Sequence, residues 1–368
     1  MIRKLEVKGL NNRLDGAWEF NEDLNVITGR NGSGKTTLLK LIWYSISGNL
    51  EQIILDIPFR SVSIETDSFS LSVQVESGKG ELSYQFFSDN SQSWEFGKPF
   101  RRSDVEKMHE LNVQVASKMN SSLFFPSFRR IEGGFARAYR YISNDDFIRR
   151  RWRSDRTTDE LQEVMLRFSS EISADKHKFI ASISTYDIGK LLTEKYADVS
   201  EKTDELHVKL SEEITQKISE TGPVENATPV LQDIQKRVEQ VTKKRESLLR
   251  PFSVLEDRVR DVFQYEGIRV ATEITFGEAK EAIISGKLSA GEQQMLSFLC
   301  YNTFSEKAAI FIDEPELSLH VDWQRRLLPT LLEQETGNQF FIATHSPFIY
   351  AKYPDKEIQL HEDRGGDV

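Results

Sequence analysis

"GRNGSGKTT", Gly29 to Thr37, carries the spacing G-x-x-x-x-G-K-[ST]. An apolar run, "LNVITG", leads into it, and "KTTLLKLIWYSI" leaves it with helical spacing. Strand, glycine-rich turn and helix in that order form a phosphate cradle. Backbone N–H groups from Asn31 through Gly32, Ser33 and Gly34 to Lys35 point inward around a β-phosphate, and the helix N-terminus adds partial positive charge. Lys35 is expected to reach the β- and γ-phosphates. The Thr36 hydroxyl is expected to ligate Mg²⁺, with Gly29 and Thr37 closing the two ends of the nucleotide loop. The pattern therefore predicts an α/β fold that takes ATP and Mg²⁺.

Three stretches far along the chain answer to this loop. "AIFIDEPE" is an apolar strand that delivers Asp313 at its C-terminal end, where open α/β sheets place ligands. Asp313 is the expected second Mg²⁺ ligand, and Glu314 can polarise an attacking water. Standing alone, the two acids would read as a solvated strand end. "FIATHSP" is another buried strand, with His345 at its tip, placed to meet a γ-phosphate or to sit as a satisfied core histidine. "LSAGEQQML", Leu288 to Leu296, opens a helix. The Ser289 hydroxyl and the Gly291 N–H suit a γ-phosphate. The same "SAGE" is also a capping box of Ser289 and Glu292, and the two readings are compatible.

Between these stretches the pattern changes twice. From about Ile53 to Phe100 the period is two, with "SGKG" as a turn, which predicts an antiparallel meander. A helix is expected from Asp104 to Lys118, then the strand-like "SLFFPS" and the basic "FRRIEGGF". From about Asp155 to Tyr265 glycine nearly vanishes. Leu231, Ile234, Val238, Val241, Leu248, Phe252, Leu255, Val259 and Val262 recur at 3–4 spacing, with Arg245 at the missing step and Pro251 inside the run. Val199, Leu206, Leu210 and Ile214 mark an earlier arm, and "SETGPVENATP" breaks the helix between them. A helical hairpin with its tip near 219–229 is preferred to a plain helical bundle packed on the globular body, and a break at Pro251 is expected to favour bending. The return to α/β character includes "IRVATEITF" as a strand. The expected division is 1–154, the N-terminal half of the nucleotide domain with its meander; 155–265, a helical coiled-coil insertion whose apolar repeat runs over four heptads; and 266–368, the C-terminal half.

Composition narrows the class. The chain has 368 residues and a net charge of −10, which disfavours a whole-surface nucleic-acid coat. From Arg129 to Arg156, however, nine arginines face four acids. That segment reads as a contact for nucleic acid or an acidic protein, or, as the preferred reading, as arginines pairing with the acidic helices. The one cysteine, Cys300, reads as a small buried residue and excludes an internal disulfide. The six histidines lack metal-ligand spacing. No signal peptide and no run of about 18 apolar residues appear, so a cytoplasmic protein without membrane contact is expected.

Taken together, the phosphate loop, the LSxGE-type loop, the acidic strand end and the terminal histidine resemble the ABC-type ATPase superfamily. The resemblance implies an ABC-type P-loop fold with an antiparallel β subdomain and an inserted helical hairpin. It also implies that Ser289 and Gly291 contact ATP held by a partner copy, hence an ATP-dependent homo-oligomer. The inserted helices resemble SMC- and RecF-like proteins more than transporter subunits. "IDEPELSLHVDWQRRLLPTLL" and "FFPSFRRIEGG" look like the OLD-type ATPases of bacterial defence and, among them, the ATPase components of PARIS-type anti-phage systems. OLD nucleases continue into a TOPRIM domain, but this chain runs only 23 residues past His345. The resemblance thus implies a nuclease effector, TOPRIM-type, on a separate polypeptide, with a phage protein as trigger. The alternative is an SMC- or RecF-like DNA-binding ATPase of repair or recombination. Two departures stand out. His320 lies where transporter-like ATPases carry Asp, and no Q-loop glutamine is found, so Arg129 or Arg130 is a candidate near the phosphates.

Overall fold

The computed structural model describes residues 1–76, 79–86, 91–97, 100–127, 130–131, 167, 169–183, 185–220, 227–263 and 288–360. In chain order the elements are β1 (Ile2–Leu10), β2 (Leu14–Glu19), β3 (Leu24–Gly29), α1 (Lys35–Ser47), α2 (Leu50–Asp56), β4 (Ser61–Thr66), β5 (Phe69–Glu76), β6 (Lys79–Phe86) and β7 (Gln92–Gly97). Then come α3 (Arg102–Lys118), β8 (Ser122–Phe125), the short β9 (Arg130–Ile131), β10 (His177–Phe179) and β11 (Ser182–Ile183). Two long helices follow, α4 (Thr185–Glu220) and α5 (Ala227–Phe263). The chain returns with α6 (Ala290–Thr303), β12 (Ala309–Asp313), α7 (Val321–Leu332), β13 (Gln339–Ala343), α8 (Pro347–Tyr350) and β14 (Glu357–Leu360).

One sheet is all parallel, in the order β10-β8-β12-β13-β3-β14. Helices cover both of its faces, so its strands are continuous apolar runs rather than alternating ones. Period-two geometry still sorts their side chains. Phe124, Phe311 and Phe341 join the core shared with α1, whereas Phe125, Ile310, Ile312 and Ile342 join the core beneath α6 and α7. Cross-strand register stacks Phe179, Phe124, Phe311 and Phe341 side by side, with centroids 5.4, 6.1 and 4.9 Å apart. Such contacts contribute about 0.5–1.5 kcal/mol each beyond their burial.

The second sheet is antiparallel, β2-β1-β4-β5-β6-β7, and its inner face closes over α1. The meander begins later than the sequence pattern suggests. Ile53 and Ile54 belong to α2, because Gly48 ends α1 in the left-handed region at φ 75 and Leu50, Ile53 and Ile54 then repeat with helical spacing.

Helices α4 and α5 lie against each other, joined distally by a two-pronged Arg237–Glu213 pair at 2.6 and 2.8 Å and by Lys217–Asp233. Two expectations change here. Pro251 does not break α5, which runs through it, held by the buried Phe252 and Leu255 on the same face. Leu231 and Val238 do not fill the seam but are 64% and 40% exposed, leaving Ile234, Val241 and Leu248 to line it. The root of α5 is clamped to the end of α7 by Arg258–Glu333 at 2.6 Å and Arg250–Glu335 at 3.3 Å. The tip residues 221–226, the strand expected at "IRVATEITF", Arg129 and most of the arginine-rich segment lie outside the described residues. No described helix is long and apolar enough to cross a membrane. Cys300 is fully buried, and burial pushes its thiol well above the ordinary range.

Candidate nucleotide-binding site

Three neighbouring strands of the parallel sheet, β3, β12 and β13, end side by side. β3 releases the phosphate loop. Its glycines take backbone angles closed to other residues, with φ of 148 at Gly29, 80 at Gly32 and 97 at Gly34, the cap of α1. A Cβ on Gly29 would stand 2.7 Å from the Ser33 hydroxyl, so the turn admits no side chain there. Ser33 Oγ is buried without a hydrogen-bond partner among the described residues, as befits a hydroxyl meant for a phosphate oxygen. Asn31 and Gly32 are exposed at the loop's crest. A nucleotide phosphate fits this cradle.

Lys35 is buried, and its ammonium donates to the Gly29 and Arg30 carbonyls at 3.2 Å each. It also lies 2.6 Å from His345 Nε2. An ammonium only donates, so Nε2 accepts and the ring proton sits on Nδ1. The same nitrogen stands 3.9 Å from Glu314 and, with its lone pair turned to Lys35, makes no ion pair there. One residue on, the Thr36 hydroxyl lies 3.0 and 2.9 Å from the two oxygens of Asp313, a fully buried carboxylate. A hydroxyl and a carboxylate at one strand end suit a divalent cation such as Mg²⁺. The Thr37 hydroxyl accepts from Asn11 at 3.3 Å instead.

Glu314 carries backbone strain. Its φ of 48 and ψ of 60 place a non-glycine residue in the left-handed region, at a cost of about 1–3 kcal/mol. Two hydrogen bonds hold it, its N–H to Ala343 O at 2.8 Å and Leu317 N–H to its carbonyl at 3.3 Å, and Gln294 Nε2 donates to the carbonyl of the next residue, Pro315, at 2.8 Å. Ser289 and Gly291 are tied to neighbours rather than to the phosphate loop. Ser289 caps α6, accepting from Glu292 N–H at 3.3 Å, while the Glu292 carboxylate accepts from Ser289 N–H at 2.6 Å. Gly291 lets the Ser318 carbonyl approach so closely that a Cβ would stand 2.6 Å from it. His320 is an exposed cap of α7.

Several contacts were not read from the sequence. Arg13 donates to the Gly32 carbonyl across the β1–β2 turn. Glu316 accepts from Thr344 and from the His345 backbone. Gln324 accepts from the Ser346 hydroxyl at 2.6 Å. Only the second glutamate of "DEPE" offered a signal, because the other partners are backbone groups or common polar residues.

The model of the family described as "AAA domain, putative AbiEii toxin, Type IV TA system" matches residues 24–351. The chain belongs to this AAA family. That span includes Lys35, Thr36, Ser289, Gly291, Asp313, Glu314, Glu316 and His345. Its fold is α/β, an all-parallel sheet whose β3 runs into the phosphate loop, with an antiparallel sheet and inserted helices. Endonuclease GajA of Bacillus cereus (strain VD045) is 38% identical over 78 residues, which are 19% of this chain and 14% of that protein. The AAA chain is also similar in outline to two solved SMC heads. One is an SMC head bound to the C-winged helix domain of ScpA, with 12% identity, TM-score 0.38, and coverage of 95% of this chain and 91% of that one. The other is the Pyrococcus furiosus SMC head with an extended coiled coil bound to the C-terminal domain of ScpA, with 13% identity, TM-score 0.36 and the same coverage, 95% and 91%.

Proposed function

We propose that this AAA domain binds and hydrolyses ATP as the sensor and scaffold subunit of a bacterial anti-phage system, resembling AriA, the ATPase component of PARIS. The observation that carries the catalytic part is the meeting of Lys35, Thr36, Asp313, Glu314 and His345 at one end of the parallel sheet. Lys35 and the loop N–H groups bind the phosphates, and Thr36 and Asp313 hold Mg²⁺. When bound, that ion neutralises charge on the β- and γ-phosphates. Glu314 accepts a proton from the attacking water, and His345 contacts the γ-phosphate. Ser289 and Gly291 meet ATP held by a second copy, so ATP assembles the oligomer. The hairpin within 155–265 serves assembly or docking of a separate, TOPRIM-type nuclease effector, with the nucleotide domain contributed by 1–154 and 266–368. The GajA match supports a link to nucleases and covers a small part of that protein.

The test is Glu314→Gln, purified with ATP and Mg²⁺ from the native host. A stoichiometric nuclease partner supports the scaffold. Nuclease-sensitive DNA without a protein partner moves the assignment to a DNA-repair ATPase. Lys35→Ala is expected to lower ATP hydrolysis by at least about 100-fold and to abolish phage protection. Unchanged protection would sink the mechanism.

A further inference from the structure

Glu314 and Glu316 stand two residues apart after β12, and both lie near His345. Their surroundings differ. The Glu314 carboxylate is 30% exposed and reaches toward the His345 ring. The Glu316 carboxylate is engaged at both oxygens. Oε2 accepts from the Thr344 hydroxyl at 2.9 Å, and Oε1 accepts from the His345 backbone N–H at 2.7 Å. A carboxylate committed in this way is poorly placed to take a proton from water, and it is well placed to hold a loop.

We propose that Glu316 is the positioning residue for His345. It bridges the segments that follow β12 and β13 and so sets where the imidazole stands relative to Lys35. This rests on the reading of the site as an ATPase centre. The bridge is anchored on both sides. The preceding residue, Pro315, gives its carbonyl to Gln294 of α6 at 2.8 Å. Beyond His345, Ser346 N–H donates to the Thr344 hydroxyl at 3.0 Å, and the Ser346 hydroxyl donates to Gln324 of α7. Gln324 in turn donates to the Leu319 carbonyl at 2.8 Å. The 3-10 turn Pro315–Ser318 is therefore a strut between the Ser289-capped helix and the histidine loop. Because the His345 contact is to a backbone N–H, a change at Glu316 shifts the ring without altering its chemistry.

The experiment is a double-mutant cycle on the full chain, reading steady-state ATP hydrolysis with Mg²⁺, fluorescent ATP-analogue binding and Tm. Glu316→Ala is expected to lower kcat about 10- to 100-fold, as a misplaced reacting group does, with KM within about threefold. Glu316→Gln keeps an oxygen for the His345 N–H and is expected to restore kcat to within about threefold of the parent. Glu316→Ala added to His345→Ala is expected to cost nothing further, since one residue acts through the other. Should Glu316→Ala not fold, Glu316→Asp replaces it in the cycle, one methylene too short to reach both donors. Independent, multiplicative losses in the double variant, or parental kcat in Glu316→Ala, would overturn the positioning role alone, provided Lys35→Ala is inactive. Parental hydrolysis by Lys35→Ala would overturn the ATPase reading and this role with it.

Discussion

The carboxyl end of the parallel sheet and the distal part of the α4–α5 hairpin are held in opposite ways. At the sheet end, contacts join residues hundreds of positions apart. Thr36 meets Asp313 across 277 residues, and Lys35 meets His345 across 310. The carboxylate and the ammonium there are buried, so each must have its partners. In the distal hairpin, helices stand on local hydrogen bonds, a partly buried seam and exposed ion pairs. Leu231, Val238, Val208 and Ile218 remain largely exposed. The first region is over-determined and tolerates little change. The second carries small, separable terms.

Four outcomes test that contrast. Phe311 stands inside the stacked row of four rings and is fully buried in the core shared with α1. Phe311→Ala is expected to destabilise the protein by about 3–5 kcal/mol in urea unfolding, and a loss below 1 would show that the sheet is not the stiff part. Gly291→Ala brings a methyl group against the Ser318 carbonyl. It is expected to cost about 1–3 kcal/mol, read as a lower Tm, and to slow hydrolysis through the strut. An unchanged Tm would mean that α6 and the segment after β12 move independently.

A smaller effect is expected at His177, a buried ring of β10. Its Nε2 donates to Ala116 O at 2.9 Å, and its Nδ1 accepts from Ser122, whose oxygen takes the Trp43 indole N–H at 3.0 Å. Burial lowers its pKa from the ordinary 6.5, against a smaller rise from the Ala116 bond. The unfolded chain therefore binds the proton first. The stability contributed by the neutral ring is present above pH 6.5 and is lost as pH falls through 6.5 toward the folded value. NMR titration of the ring checks this, and a midpoint at or above 6.5 would contradict it. The smallest change is expected in the hairpin. Arg237→Ala removes an exposed, solvent-screened pair and is expected to leave the Tm and the urea midpoint close to those of the parent. A fall in Tm as large as that of Gly291→Ala would show that the distal arms are as tightly coupled as the sheet.

The layout of the candidate site was readable because each part is local. Nine consecutive residues, Gly29 to Thr37, contain strand end, turn and helix start. Asp313 with Glu314, and His345, each close an apolar strand. Ser289 and Glu292 are three positions apart, and their mutual bonds follow from helix geometry alone. The meander was readable from its alternation, except where Ile53 and Ile54 were claimed by a short helix. The heptad count misplaced Leu231 and Val238, because periodicity names a stripe and says nothing of what packs on it.

What local pattern settled, then, is the α/β class, the strand ends that carry the acids of the candidate site, and the helical character of the middle. Those follow from side-chain period, glycine's freedom at positive φ and helix capping, all of which act over a few residues. Folding in three dimensions decided which strand ends became neighbours. It decided that Phe179, Phe124, Phe311 and Phe341 fall in register, and that Glu316 rather than Glu314 grips the His345 loop. Those choices turn on long-range contacts, many of them to backbone N–H and C=O groups that every residue possesses, and such partners leave no mark in the order of side chains.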